Sequence, residues 1–334
     1  MSGPIPFVRD LDVAYGRVDQ VSPLIRRVVA ENPSKFTYLG TGTYIVGRGA
    51  VAVIDPGPLL DAHVDAIVAA LEPGERITHL VVTHTHSDHS PATAPLKERI
   101  GAPSYGYGPH GAVPPDDVDD RIVFGDPEAD GEPKPDREPK ANGETPATTT
   151  LREGADTDFV PDVVVGDGDV VAGPGWTLQA VHTPGHTSNH LCYALAEEQT
   201  LFSGDHVMGW STSVITPPDG DMVAFLASLQ LLLDRDDASY WPTHGPQITD
   251  PRALVRAYLA HRQERTDQVV AALAAGPATI VEIVPHIYAD VAKTLWVPAA
   301  MSTYAHLLQL VAEGRVRVDG DRPPTRTARY ELTR

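Results

Sequence analysis

Apolar residues in this chain come in short blocks, and the spacing inside each block separates strands from helices. Residues 37–56 read TYLGTGTYIVGRGAVAVIDP, in which 44–46 and 51–54 are β-rich runs on either side of Gly47-Arg48-Gly49. That pattern is a hairpin signal. Residues 60–71 (LDAHVDAIVAAL) have helical recurrence, and 77–82 (ITHLVV) form a short apolar strand. Strands are also predicted in 176–183 (WTLQAVHT), 191–196 (LCYALA) and 200–204 (TLFSG), with an amphipathic helix over 221–234. Strands interleaved with helices call for layers of sheet and helix rather than a helical bundle.

The pattern changes after about Pro251. A long helix (252–274), shorter helical runs (279–291 and 299–313) and two short strands (315–318 and 328–332) come in the order of a winged helix-turn-helix unit. The expected division is therefore a first domain over 1–250 and a small winged-helix-like domain over 251–334. Residues 111–162 interrupt the first domain. Between Asp116 and Asp158 there are 14 acidic and 5 basic residues, with Pro and Gly throughout. Such a stretch has too little apolar surface to offset its ordering entropy, so a flexible, solvated insertion is expected, with a flap over the site as the alternative.

Composition narrows the function classes. At 334 residues and 42% hydrophobic there is ample material for a core. The formal charge is -19, and the tail from 251 onward, with 11 basic and 8 acidic residues, leaves -22 for the rest. That field opposes general nucleic-acid binding. The single cysteine, Cys192, excludes an intramolecular disulfide, argues against a thiolate metal site, and reads as a plain buried thiol in LCYAL. A basic-then-apolar leader is not visible at the N-terminus, and no apolar run approaches 18 residues, so a cytoplasmic protein without a membrane span is expected.

The strongest chemical signal is Thr83-His84-Thr85-His86-Ser87-Asp88-His89, directly after the strand at 77–82. In extended backbone, residues two apart point the same way, so His84 and His86 can converge on one ion. Asp88 and His89 diverge enough to serve a second. Partners must come from elsewhere, and three candidates sit beside glycine at the ends of apolar runs: His186 in HTPGHTSNH, Asp205 in LFSGDH and His244 in WPTHG. Glycine there lets the backbone turn sharply or come close to the ion. The count gives His84, His86 and His186 for one metal, and Asp88, His89 and His244 for the other, with Asp205 able to bridge. This donor set suits two Zn²⁺ ions, and Mn²⁺ or Fe²⁺ are compatible with the same ligand types.

HTHSDH, TPGHT, SGD and the late HG, with Asp55 in Ile54-Asp55-Pro56-Gly57, resemble the metallo-β-lactamase superfamily position by position. More narrowly, NPSKFTYLGTGTYIVG, HTPGHTSNH, FSGDHVMGWST and YLAHRQERTDQVV are similar to the mammalian β-lactamase-like protein 2 group and its bacterial relatives, which carry a C-terminal winged-helix-like domain. The resemblance implies an α+β fold, an αββα sandwich with metals at one sheet edge, followed by the winged-helix-like domain. It also implies that Asp55 helps to fix the ligand loops; read alone, Asp55 is only a carboxylate at a strand end.

Two such ions imply hydrolysis by a bridging hydroxide formed near neutral pH, with Asp88 orienting the nucleophile. A separate acid is sought among His190, His206 and His182, each within four residues of an expected ligand; the competing reading of each is a satisfied structural histidine. Tyr105, Tyr107, His110 and Trp210 are candidates for lining the cleft or for packing. The favoured substrate is a small ester, thioester or lactone, since the acidic surface does not suit a polyanion. The alternative is a single-strand-specific endoribonuclease, an activity the resemblance brings with it, which would make single-stranded RNA the partner. A secreted β-lactamase does not suit the absence of a visible export signal. A non-catalytic interaction protein would be expected to have damaged ligand positions, and none is damaged. The tail, without a basic recognition helix, suits protein contacts such as homodimerisation.

Overall fold

A computed structural model describes residues 5–111, 154–276, 278–320 and 322–333. The first sheet runs in sequence order: β1 (Val18–Gln20), β2 (Ile25–Val29), β3 (Gly42–Val46), β4 (Ala50–Ile54), β5 (Arg76–Val81), β6 (Ser104–Gly106) and β7 (Val163–Val164). Its first four strands are antiparallel, including the β3–β4 hairpin, and the last four are parallel. The second sheet has β8 (Val170–Gly173), β9 (Trp176–His182), β10 (Leu191–Leu195), β11 (Thr200–Gly204) and β12 (Ser239–Pro242), with β11 and β12 parallel and the other pairs antiparallel.

The two sheets face each other across Tyr44, Ile54, Trp176, Leu178, Tyr193 and Phe202. Helices α1 (Asp61–Ala69) and α2 (Thr93–Ile100) cover the first sheet, burying Val64, Ile67 and Leu96 against Ile45, Val51 and Val53. Helix α3 (Met222–Leu233) and the first half of α4 (Pro251–Ala274) cover the second. The strands buried on both faces are near-continuous apolar runs such as AVAVI, as a sheet between two layers requires. Both covering helices start where the sequence supplies a cap: Asp221 accepts from the Ala224 amide, and Asp250 accepts from the Ala253 amide just before Pro251.

The C-terminal unit is a winged helix. Helices α5 (Ile280–Ile287) and α6 (Trp296–Ala312) pack with the end of α4, and β13 (Val316–Val318) pairs antiparallel with β14 (Tyr330–Leu332). A reciprocal Thr279–Glu282 capping box opens α5. The boundary expected at 250/251 is not a break between cores. Leu254, Val255 and Tyr258 of α4 belong to the core under the second sheet, whereas Val269 and Leu273 belong to the C-terminal core. Residues 112–153, most of the expected insertion, lie outside the described residues.

The last part of that stretch departs from expectation. Ala155 forms a bridge with His86, the Ser87 amide donates to the Gly154 carbonyl, and the Asp156 amide donates to the Thr85 carbonyl. Asp156 also accepts from the Ser90 hydroxyl at 2.6 Å. Residues 154–162 are therefore part of the domain, with 154–156 laid against the HTHSDH loop and Phe159 and Asp162 set beside β6. Their acidity marked them as solvated, but the carboxylates of Asp156 and Asp162 accept local hydrogen bonds.

Candidate metal centre

Strands from both sheets end at one edge, and the segments leaving their ends assemble the site. β4 leads into Asp55, β5 into the HTHSDH loop, β9 into 183–190, β11 into Asp205 and β12 into Thr243-His244. Cross-links between the sheets close this edge: the Leu191 amide donates to the Thr83 carbonyl, and the Gly42 amide donates to the Thr243 carbonyl. Gly204 has φ +51°, and a Cβ there would stand 2.5 Å from His190 Nε2. Only glycine brings the backbone that near the ring while turning Asp205 inward.

All seven expected ligands converge. His84 Nε2 lies 3.0 Å from His86 Nδ1, which lies 3.1 Å from His186 Nε2. Nitrogens bound to one tetrahedral ion at about 2.0–2.1 Å would stand roughly 3.3 Å apart, so this trio already has the dimensions of a coordination face. Beside it, Asp88 Oδ2 is 3.1 Å from His244 Nε2 and 3.5 Å from His89 Nε2. Asp205 Oδ2 reaches both groups, 3.3 Å from His244, 3.6 Å from His89 and 3.9 Å from His186. Cation-sized donor groups thus form as His84/His86/His186 and Asp88/His89/His244, with His84/His89/Asp205 between them.

The far sides of the rings are held as well. His186 Nδ1 donates to the Val214 carbonyl at 2.7 Å and His244 Nδ1 to the Gly40 carbonyl at 3.2 Å, which turns each Nε2 toward the site. His89 Nδ1 bonds to Asp55 Oδ2 at 2.9 Å. Asp55, fully buried, also accepts from the Thr83 amide, the Thr83 hydroxyl and the Thr243 hydroxyl. Three strand ends are tied through this one carboxylate.

Electrostatics divides the two groups. Burial, and then the neighbouring imidazoles, keep His84 and His86 well below the ordinary histidine range, and burial lowers His186 too, so this trio is neutral. For His244, burial is outweighed by Asp205 and Asp88, which raise it to about 10; Asp88, Asp205 and Asp55 likewise hold His89 well above its usual value. The carboxylates call for positive charge at this spot. Two buried atoms, His89 Nε2 and Asp205 Oδ1, have no hydrogen-bond partner. Three neutral imidazoles, beside two buried carboxylates that draw protons onto His89 and His244, fit divalent cations that would take the place of those protons.

The other expected residues fall elsewhere. His190 is fully buried beneath the candidate ligands: its Nε2 accepts from the Asp205 amide at 3.2 Å, so its Nδ1 carries the proton and donates to the Thr183 hydroxyl at 2.9 Å. With both nitrogens engaged it is a support for Asp205, not an acid at the cleft. His206 is buried against Phe225, with ring centroids 4.6 Å apart, and burial lowers it to about 3. His182 bonds to the Ser188 carbonyl and stacks on Tyr107 at 4.2 Å. His110 bonds to the Thr85 hydroxyl with its ring 6.1 Å from His86. Trp210 stacks on Tyr38 at 4.9 Å and stands over Gly245, next to His244, while Tyr105 packs against the inter-sheet core. Cys192 is buried, bonded to Thr183 and the Ser203 carbonyl, and burial pushes its thiol up to about 12. Sequence reasoning missed Thr83 and Thr243. Each immediately precedes a candidate ligand histidine, a repeated Thr-His step that was available as a signal.

Residues 38–244 match the metallo-beta-lactamase superfamily, and 279–326 match the beta-lactamase associated winged helix domain. The chain belongs to the metallo-beta-lactamase superfamily. Among curated relatives, an atrochrysone carboxyl ACP thioesterase of Claviceps purpurea is 29% identical over 264 residues, covering 77% of this chain and 67% of that protein. The lactamase-like protein adaB of Aspergillus niger is 30% identical over 258 residues, covering 77% and 66%. The chain thus spans about two thirds of the length of these relatives. Two solved structures share the fold: a beta-lactamase domain protein from Burkholderia ambifaria (TM-score 0.72, 19% identity, covering 97% of this chain and 96% of that one) and a metallo-beta-lactamase family protein from Thermus thermophilus (TM-score 0.67, 22% identity, covering 94% and 100%). Membership in this superfamily makes the protein a metal-dependent hydrolase with a divalent metal site. Among the described residues no helix is long and apolar enough to cross a membrane.

Proposed function

We propose that this metallo-beta-lactamase superfamily member hydrolyses a small acyl thioester, with two zinc ions held by His84, His86 and His186 and by Asp88, His89 and His244, and shared through Asp205. The observation that carries the reading is the convergence of seven donor side chains into two cation-sized groups with one carboxylate between them. Curated relatives named as carboxyl ACP thioesterases support the substrate class.

When bound, the ions would polarise the thioester carbonyl and acidify a water to near neutrality. The residues supply the rest. Asp88 is partly accessible, with 16% of its side chain exposed, and Thr41 donates to its Oδ2. It orients the attacking water as a hydrogen-bond acceptor. Burial raises its pKa, but His89 and His244 outweigh burial and hold it below the usual carboxylate range, so it remains ionised. Neither His190 nor His206 delivers a proton to a departing group, since one has both nitrogens occupied and the other is buried on Phe225. A thiolate leaves without that help, because a free thiol ionises near ~8.5, far below an alcohol. The lack of an acid at either position therefore favours a sulfur leaving group over a ribose oxygen.

The test is a side-by-side assay of the zinc-loaded protein on thioesters, lactones and a labelled single-stranded RNA, with Asp205→Asn as control for contaminating activity. Thioester turnover that is flat from about 50 to 300 mM salt and lost in the variant is expected, since a polyanion substrate would give a steep salt dependence. RNA cleavage lost in the variant, without thioester turnover, would overturn the proposal.

A further inference from the structure

Helix α4 carries a buried cation that the metal chemistry does not use. Arg262 is 3% exposed, and among the described residues no carboxylate pairs with it. Its Nη2 donates to the Ser213 carbonyl, its Nη1 to the Ser302 hydroxyl of α6 at 3.3 Å, and its plane lies over Phe225 at 5.2 Å. Nε has no partner. A buried guanidinium without a counter-ion is costly, and burial indeed lowers its pKa. Its compensation is one charge-assisted bond to a loop carbonyl and one to the C-terminal domain.

The loop in question is the one after Asp205. One turn earlier on α4, Tyr258 grips the same loop: its hydroxyl sits between the Met208 and Ser211 carbonyls, its single proton serving either, and accepts from the Met208 amide at 3.1 Å. Residues four apart share a helix face, so Tyr258 and Arg262 act as two successive clamps. The next carbonyl after the one Arg262 holds, that of Val214, receives His186 Nδ1 at 2.7 Å. The Ser213 hydroxyl, in turn, donates to the His206 carbonyl at 2.8 Å, adjacent to Asp205.

We infer that Arg262, with Tyr258, is a positioning residue for the metal centre: it fixes the 213–214 backbone, so that the Val214 carbonyl aims the His186 ring at its ion, and ties that geometry to α6 of the winged helix. This rests on His186 being a ligand. The geometry predicts a selective effect, because the Asp88/His89/His244 group is oriented by Gly40 and Asp55, which α4 does not touch in this way.

The test measures stepwise cobalt(II) and zinc affinity of the full-length protein by chelator competition, with melting temperature alongside. Arg262→Met is expected to weaken the step belonging to His84/His86/His186 by about tenfold, the low end for losing an orienting partner, and to leave the other step within about twofold. Tyr258→Phe is expected to act in the same direction, and it decides the matter if Arg262→Met does not fold. Leu273→Ala, in the C-terminal core away from the loop, provides a comparable loss of stability. The inference is overturned if Leu273→Ala weakens metal binding as much as the clamp variants do, or if neither clamp variant moves the affinity. His186→Ala separates the two levels: if it leaves both steps unchanged, the ligand assignment fails, whatever Arg262 does.

Discussion

Replacing Asp55 with asparagine keeps the volume of the side chain and removes one charge. The backbone is not the issue: Asp55 sits at φ +48°, and asparagine tolerates the left-handed region as well as aspartate does. The donors are. Oδ1 accepts from the Thr83 amide at 2.8 Å, and Oδ2 accepts from the Thr83 and Thr243 hydroxyls and His89 Nδ1 at 2.8–2.9 Å. The hydroxyls can turn round and accept, whereas the Thr83 amide cannot. If the asparagine oxygen takes the Oδ1 place, its NH₂ faces His89 Nδ1, and His89 must shift its proton to Nε2, the nitrogen that points at Asp88 and Asp205. If the amide flips, the NH₂ faces the Thr83 N–H and leaves a buried donor unmatched. Either arrangement costs about 1–3 kcal/mol, which at about 1.4 kcal/mol per tenfold corresponds to a roughly 10- to 100-fold weaker ion at Asp88/His89/His244. Stepwise metal titration checks this, with the ion at His84/His86/His186 expected to change by less than about threefold. Wild-type affinity at both steps, or equal weakening of both, would refute the reasoning.

Two further outcomes concern stability. His306 is buried on α6 and bonded to Thr266; burial first, and Arg262 next, lower its pKa from 6.5 to about 3. A group whose folded pKa is depressed stabilises above its unfolded pKa and loses that contribution as pH falls from about 6.5 toward 3, at about 1.4 kcal/mol per pH unit. Between about pH 7.5 and 4.5, His306→Gln should therefore lose roughly 3 kcal/mol less than wild type in denaturant unfolding; a parallel pH dependence would contradict a buried neutral imidazole. Asp156→Ala should cost about 1–3 kcal/mol, because the Ser90 hydroxyl and the Phe159 amide lose their acceptor. Unchanged melting would return 154–158 to the solvated insertion.

The elements legible in the sequence are those with a strong period or a chemical marker. The β3–β4 hairpin, helices α1, α3 and α4, and the strand before HTHSDH were all written in apolar spacing. The three-residue strands β1 and β6 and the two-residue edge strand β7 were not, because so few residues have no period of their own and are defined by their partners. At the site, side-chain donors were readable because histidine and aspartate are chemically conspicuous. The groups that aim them were not, since the Val214 and Gly40 carbonyls belong to backbone, which every residue possesses. His190 misled for a related reason: four residues from the candidate ligand His186 in sequence, it points under the site rather than into it, and only the tertiary contact with the Asp205 amide reveals the direction.

Helix α4 occupies 251–274, inside the gap between the two family-matched segments, which end at 244 and resume at 279. The segment that neither family pattern claims is the one both halves of the protein need, since it contributes Leu254, Val255 and Tyr258 to one core and Val269 and Leu273 to the other. A gene cut at either recognised border would strip apolar filling from the half it was meant to isolate. A 24-residue rod, about 36 Å long, is thus a structural axle common to both modules, and their unfolding is expected to be coupled through it.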